Sequence, residues 1–221
     1  MHTFTTPDPI TAVVDIAAGR VQVIAADRAD TTVQIRPADP ASHRDVQAAE
    51  QTTADYRDGV LRITAPAANR VLGSSGTIEV TVQLPAGSRL DAKAASAQLR
   101  TVGRLGALTV DSQQATIKAD DAATARLTTL SGDVTVGRLH GDAQISTGKG
   151  DITITEAVRG ALDLRTQAGT ITVDAAAGVC AALDAGTTYG RINNALKNTD
   201  GTPALTIHAT TAYGDITARS L

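Results

Sequence analysis

The 221-residue chain contains no tryptophan, one phenylalanine, three tyrosines, one methionine and one cysteine. With aromatics at 2% of residues, a bulky globular centre is excluded, and the core has to be built from Val, Ile, Leu and Ala in thin, stacked layers. The lone Cys180, within AAGVCAALDAG, excludes an intramolecular disulfide and is expected to be a buried, reduced thiol. No segment approaches the roughly 18 apolar residues of a membrane span. Charge is nearly balanced, 20 basic against 23 acidic residues for a net of −3, and no basic run marks a nucleic-acid partner. The opening stretch, MHTFTTPDPITAVVDI, lacks a positively charged start and a long apolar run, so the expected location is the cytoplasm. No HExxH or CxxC spacing occurs, His2, His43, His140 and His208 are scattered, and the GSSG at 73–76 is not a nucleophile elbow. The sequence therefore supports no metal, cofactor or catalytic triad.

What the chain does contain is a repeat. A leucine-like position recurs at Leu90, Leu108, Leu127, Ile145, Leu164, Leu183 and Ile207, at steps of 18, 19, 18, 19, 19 and 24. A second column lies two residues on, from Ala92 through Thr129, Thr147 and Thr166 to Ala209. A third is mostly glycine, including Gly132, Gly150, Gly169, Gly190 and Gly214, and a fourth reads Leu99, Ile117, Val134, Ile152, Ile171, Ile192 and Ile216. In ALDLRTQAGTITV the alternation of period two marks two short strands joined at a glycine corner. A unit of this size cannot close its own core, whereas stacked copies bury a continuous apolar column. The reading is an all-β fold, a parallel β-solenoid of about seven coils over residues 87–221. An antiparallel meander is the alternative, although corners such as TLSGD and TQAGT are longer than two-residue hairpin turns.

Residues 1–86 follow other rules. Strands are expected at Ile10–Ile16, Arg20–Ala25, Thr31–Arg36, Thr52–Tyr56, Val60–Ala65 and Thr77–Leu84, with Asp58-Gly59 as a hairpin turn. DPASHRDVQAAEQ reads as a short helix capped by Asp39 or Ser42, and NRVLGSSG, Asn69–Gly76, as a loop. This segment is expected to be an antiparallel region capping the first coil.

The repeat columns, together with RLTTLSGDVTVGRL, ISTGKGDITI, LRTQAGTITV and TTAYGDITARSL, resemble the toastrack family of bacterial adhesin-like β-strand-repeat proteins, and most of all its actinomycete members. The resemblance covers essentially the whole chain. It implies a β-helix-like fold and a non-enzymatic role in adhesion, scaffolding or envelope-stress sensing, and it carries no catalytic motif onto any residue here.

Several constellations invite chemistry and yield to plainer readings. STGKGD resembles a phosphate loop, but Ala143 stands where the first glycine is required and Gly150 where Ser or Thr is required, and a strand follows instead of a helix. Asp133, Asp151 and Asp215 follow the glycine column; paired carboxylates on adjacent coils could serve a glycosidase or calcium, while a turn role accepting backbone N–H bonds is the simpler expectation. Thr135, Thr153, Thr172, Asn193 and Thr217 form an outward ladder, read as strand propensity and not as an ice-binding face. Arg165 and Asp184 are expected to pair across successive coils. Tyr189 and Tyr213 precede the last two corner glycines and are read as corner covers, with a contact patch as the alternative.

The functional expectation is a non-enzymatic scaffold without cofactor. Its partner is another protein or a second copy joined through the C-terminal coil, whose edge at Leu221 shows no cap unless NALKNTDGTP, residues 194–203, folds over it. The expected interaction surface comprises Tyr189, Tyr213, Asp133, Asp151 and Asp215. An adhesin-like or envelope-stress surface protein and a carbohydrate-binding or carbohydrate-active β-helix are the alternatives.

Overall fold

A computed structural model of the chain describes residues 1–65, 76–198 and 201–221. The expected loop at Asn69–Gly76 lies outside these residues except for Gly76. The elements in chain order are β1 (His2–Thr5), β2 (Thr11–Ala26), β3 (Asp30–Pro37), α1 (His43–Gln51), β4 (Thr53–Arg57), β5 (Val60–Thr64), β6 (Ile78–Pro85) and β7 (Arg89–Ser131). The repeat continues as β8 (Val134–Leu139), β9 (Ala143–Lys149), β10 (Ile152–Ala157), β11 (Gly160–Ala168), β12 (Ile171–Ala175), β13 (Ala181–Tyr189), β14 (Ile192–Ala195), β15 (Leu205–Tyr213) and β16 (Ile216–Ser220).

Period-two alternation turns one side of every strand inward, and the coils stack in parallel register: Ile152 lies beside both Val134 and Ile171, and Ile171 beside Ile216. The antiparallel meander is thereby excluded for the repeat. Each inward side chain rests on its equivalents one coil above and below, which is how small aliphatics make a dry core without aromatics. Val80, Val21, Leu99, Ile117, Val134, Ile152, Ile171 and Ile216 occupy one such column and are at most 3% exposed.

The parallel stack reaches further back than the sequence suggests. β2 is a complete coil, parallel to β5 and β6 on one side and to the start of β7 on the other. Two coils from the N-terminal region thus join the seven of the repeat, and antiparallel pairing among the described residues is confined to β1 with β3, β3 with β6, and β4 with β5. The Asp58-Gly59 turn does form the β4–β5 hairpin, with both residues at positive φ (51° and 77°). It sets only that local pair, while β5 spends its other edge on β2. The expected helix is α1, with Ser42 as its N-cap accepting from the Asp45 amide at 3.4 Å.

At the other end the coils are out of sequence order. β15 lies between β11 and β13, and β16 between β12 and β14. The coil nearest the C-terminus is therefore internal, and the coil of β13 and β14 ends the rod. This corrects the expectation that the C-terminal coil carries the free edge. The register also shifts: Ile207 lies beside Leu162 and Leu183, so Ala209 and Ala185 take the place of Leu164. An offset of two residues keeps the same faces inward, which is why the period survives it.

Candidate functional site

The corners are built from the backbone outward. Gly150 has φ +145°, and a Cβ there would overlap the carbonyl of Gly132 one coil below; the same contact repeats from Gly169 to Gly150, Gly214 to Gly169 and Gly190 to Gly214. Beside this column, threonines cross-link the coils. The Oγ1 hydroxyls of Thr166, Thr211 and Thr187 donate to the carbonyls of Gly150, Gly169 and Gly214, each at 3.1 Å.

Each of the three singled-out aspartates is a corner acceptor. Asp133 Oδ1 accepts from the Asp151 amide at 3.0 Å, Asp151 Oδ1 from the Thr170 amide at 2.7 Å, and Asp215 Oδ1 from the Arg191 amide at 2.8 Å. Their carboxylates thus stitch one coil to the next, as a turn role requires. Among the described residues no group of three or more His, Cys, Asp or Glu is placed to hold a metal ion.

Tyr189 and Tyr213 do come together. Their rings stack at 5.0 Å and 6°, yet the residues stay 63% and 60% exposed, so they stand off the corner instead of covering it. The expected Arg165–Asp184 pair does not form, because β15 lies between their strands. Arg165 binds Asp163 on its own strand at 2.8 and 3.0 Å, and Asp184 faces His208 at 3.0 Å. Asp163 raises the basicity of the Arg165 guanidinium by hydrogen bonding. Cys180 is free but not buried; it is half-exposed, with Sγ donating to the Gly201 carbonyl at 3.7 Å.

What the sequence does not disclose is the open end itself. Among the described residues β13 pairs only with β15, and β14 only with β16. Ile192 continues the buried column of Ile171 and Ile216, but with no coil beyond it, it is 47% exposed. Asn198 closes one position of the free edge: its side chain accepts from the Ala181 amide at 2.9 Å and donates to the Ala181 carbonyl at 2.8 Å. By strand alternation the amides of Leu183 and Ala185 point the same way as that of Ala181, with no such partner among the described residues. Asn198 therefore covers a corner of the end, and the rest of the edge has no strand partner among the described residues. A second feature hidden from sequence is Asp174, 5% exposed, which is gripped by Arg219 at 2.7 and 2.8 Å. That hydrogen-bonded carboxylate raises the basicity of the guanidinium and fixes β16 onto β12.

No helix among the described residues is long and apolar enough to cross a membrane. The chain is similar in structure to the "putative adhesin" of Bacteroides fragilis, with a TM-score of 0.57 and 13% identity over 98% of this chain and 95% of that one. It is also similar to the "putative adhesin" of Parabacteroides distasonis, at a TM-score of 0.48 and 13% identity over 98% and 95% of the two chains. No curated protein matches it. Residues 12–220 match the Toastrack DUF4097 family, a span that takes in every coil of the stack. The chain belongs to the toastrack family.

Proposed function

We propose that this toastrack protein is a non-enzymatic, adhesin-like scaffold that associates with a second copy of itself through its open end. The observation that carries the reading is the exposure of Ile192 at 47%, beside an unpaired parallel edge, in a column otherwise buried from end to end. An exposed edge with apolar side chains next to it is a template for strand addition. The simplest closed partner for such an edge is the same edge turned about a twofold axis, with β13 antiparallel to its copy. Asn198 limits the pairing to the part of the strand beyond Ala181. The stacked Tyr189 and Tyr213 rings flank this edge and add contact area.

Sedimentation velocity over a concentration series tests it. The expected result is a monomer–dimer equilibrium that is abolished by Ala185→Pro, which removes an outward amide without touching the β15 ladder, and by Ile192→Glu. A wild-type chain that stays monomeric at high concentration overturns the proposal, as does a dimer insensitive to both substitutions.

A further inference from the structure

We infer that a second surface, on the side of the rod, binds a linear acidic polysaccharide. A groove of about 410 Å³ is lined by Arg20, Gln22, Gln98, Arg100, Thr116 and Lys118. These residues come from three successive coils, so their side chains repeat along the rod at about 4.8 Å per step. That step is close to the length of one pyranose ring along a polysaccharide chain, so a polymer lying along the axis meets one coil with each sugar.

The charge pattern supplies the specificity. At several positions the stack places opposite charges in register: Lys93 beside Asp15, Arg36 beside Glu79, Arg62 beside Asp55, and Arg138 between Asp121 and Glu156. Arg20 follows this rule, holding Glu79 at 3.2 Å and Gln98 at 3.4 Å. Arg100 and Lys118 break it. They follow one another on adjacent coils, both exposed, with Gln22 beyond the first and Thr135 beyond the second, and neither has an ion pair among the described residues. Like charges placed opposite each other on neighbouring strands repel, and an anion laid between them removes that cost. The acidic neighbours Asp133 and Asp151 also succeed one another, but a backbone amide occupies an oxygen of each.

A carboxylate suits the guanidinium fork of Arg100 and the ammonium of Lys118. The amide of Gln22 and the hydroxyl of Thr116 suit sugar hydroxyls. From Arg100 the polymer continues toward the N-terminal coils, over Gln22 and its register neighbour Thr81. The chemistry is that of a uronate-bearing chain.

The test is calorimetric titration with a hexamer of galacturonic acid, its fully methyl-esterified counterpart and a polyphosphate of matched charge. The wild-type protein is expected to bind the acidic hexamer, more weakly as salt is raised, and to bind the ester and the polyphosphate at least about tenfold less well. Arg100→Gln combined with Lys118→Gln is expected to lower affinity by about tenfold or more, while Arg191→Gln, on the distant end coil, leaves it unchanged. Both groove residues are exposed, so the double variant should retain the wild-type circular dichroism and Tm. Absence of hexamer binding, equal binding of ester or polyphosphate, or an affinity unaffected by the double substitution overturns the inference. Self-association through β13 is read separately by sedimentation, so the two proposals stand or fall apart.

Discussion

At the corner of each coil the decisive quantity is the space between one backbone and the next. Gly150 combines a positive φ of +145° with a carbonyl, that of Gly132, lying where its Cβ would be, and the opposing atom belongs to the main chain and cannot swing aside. Both terms act in the same direction, so Gly150→Ala is expected to destabilise the fold by about 3 kcal/mol. Gly186 on the end coil is the matched control. It has no positive φ and nothing within 4 Å of its Cβ position, so Gly186→Ala should shift stability by less than about 0.5 kcal/mol. Urea denaturation of the two variants distinguishes them, and equal midpoints would show that the corners are looser than this packing implies. Lys149, which gives STGKGD its likeness to a phosphate loop, sits in register with Ser131 and Ala168, and the glycine after it is a corner of the stack.

Among the strands, burial on one or both edges sets local stability. β15 has neighbours on both sides, whereas β13 has one. In the Ile192→Glu variant, where association through the end is blocked, backbone amides across β15 are expected to exchange more slowly than those of Leu183 and Ala185. Ala181 should exchange more slowly than those two, because Asn198 holds its amide. Comparable exchange in the two strands would contradict the coil order described above. That order marks the limit of what was legible in the sequence. The alternation fixed strand positions well: Thr31–Arg36 falls inside β3, Val60–Ala65 nearly coincides with β5, and Ser42 caps α1. Alternation reports which face a residue presents but not which strand lies beside it. The parallel partners of β2, the insertion of β15 and the separation of Arg165 from Asp184 were illegible for that reason. The carboxylate corners were legible because their hydrogen bonds are local to the repeat. The open end was not, since it depends on which coil comes last in space. Arg100 and Lys118 each follow a residue of the fourth repeat column, Leu99 and Ile117, but that neither has an ion pair among the described residues appears only once the neighbouring strands are placed.

For the whole molecule, a solenoid's stability is a sum of coil contributions and of interfaces between nearest neighbours. Coil order therefore makes an unusual statement about truncation. Removing residues 204–221 takes away an internal coil: it strips β12 and β14 of β16, removes the Asp174–Arg219 clamp, and eliminates two interfaces at once. Removing residues 178–203 takes away only the end coil and joins the stretch after β12 directly to β15, a connection about as short as the one from β10 to β11. The second deletion is longer, yet it sacrifices one interface and leaves β15 and β16 in their native register on β11 and β12. The expected outcome is a folded, cooperative protein for the 178–203 deletion, with a Tm modestly below wild type, and a markedly less stable or aggregating one for the 204–221 deletion. Calorimetry and circular dichroism on the two variants decide between this and a stack in sequence order, in which trimming the C-terminus would be the milder change. The inverted ranking follows only if the last coil of the chain is not the last coil of the rod.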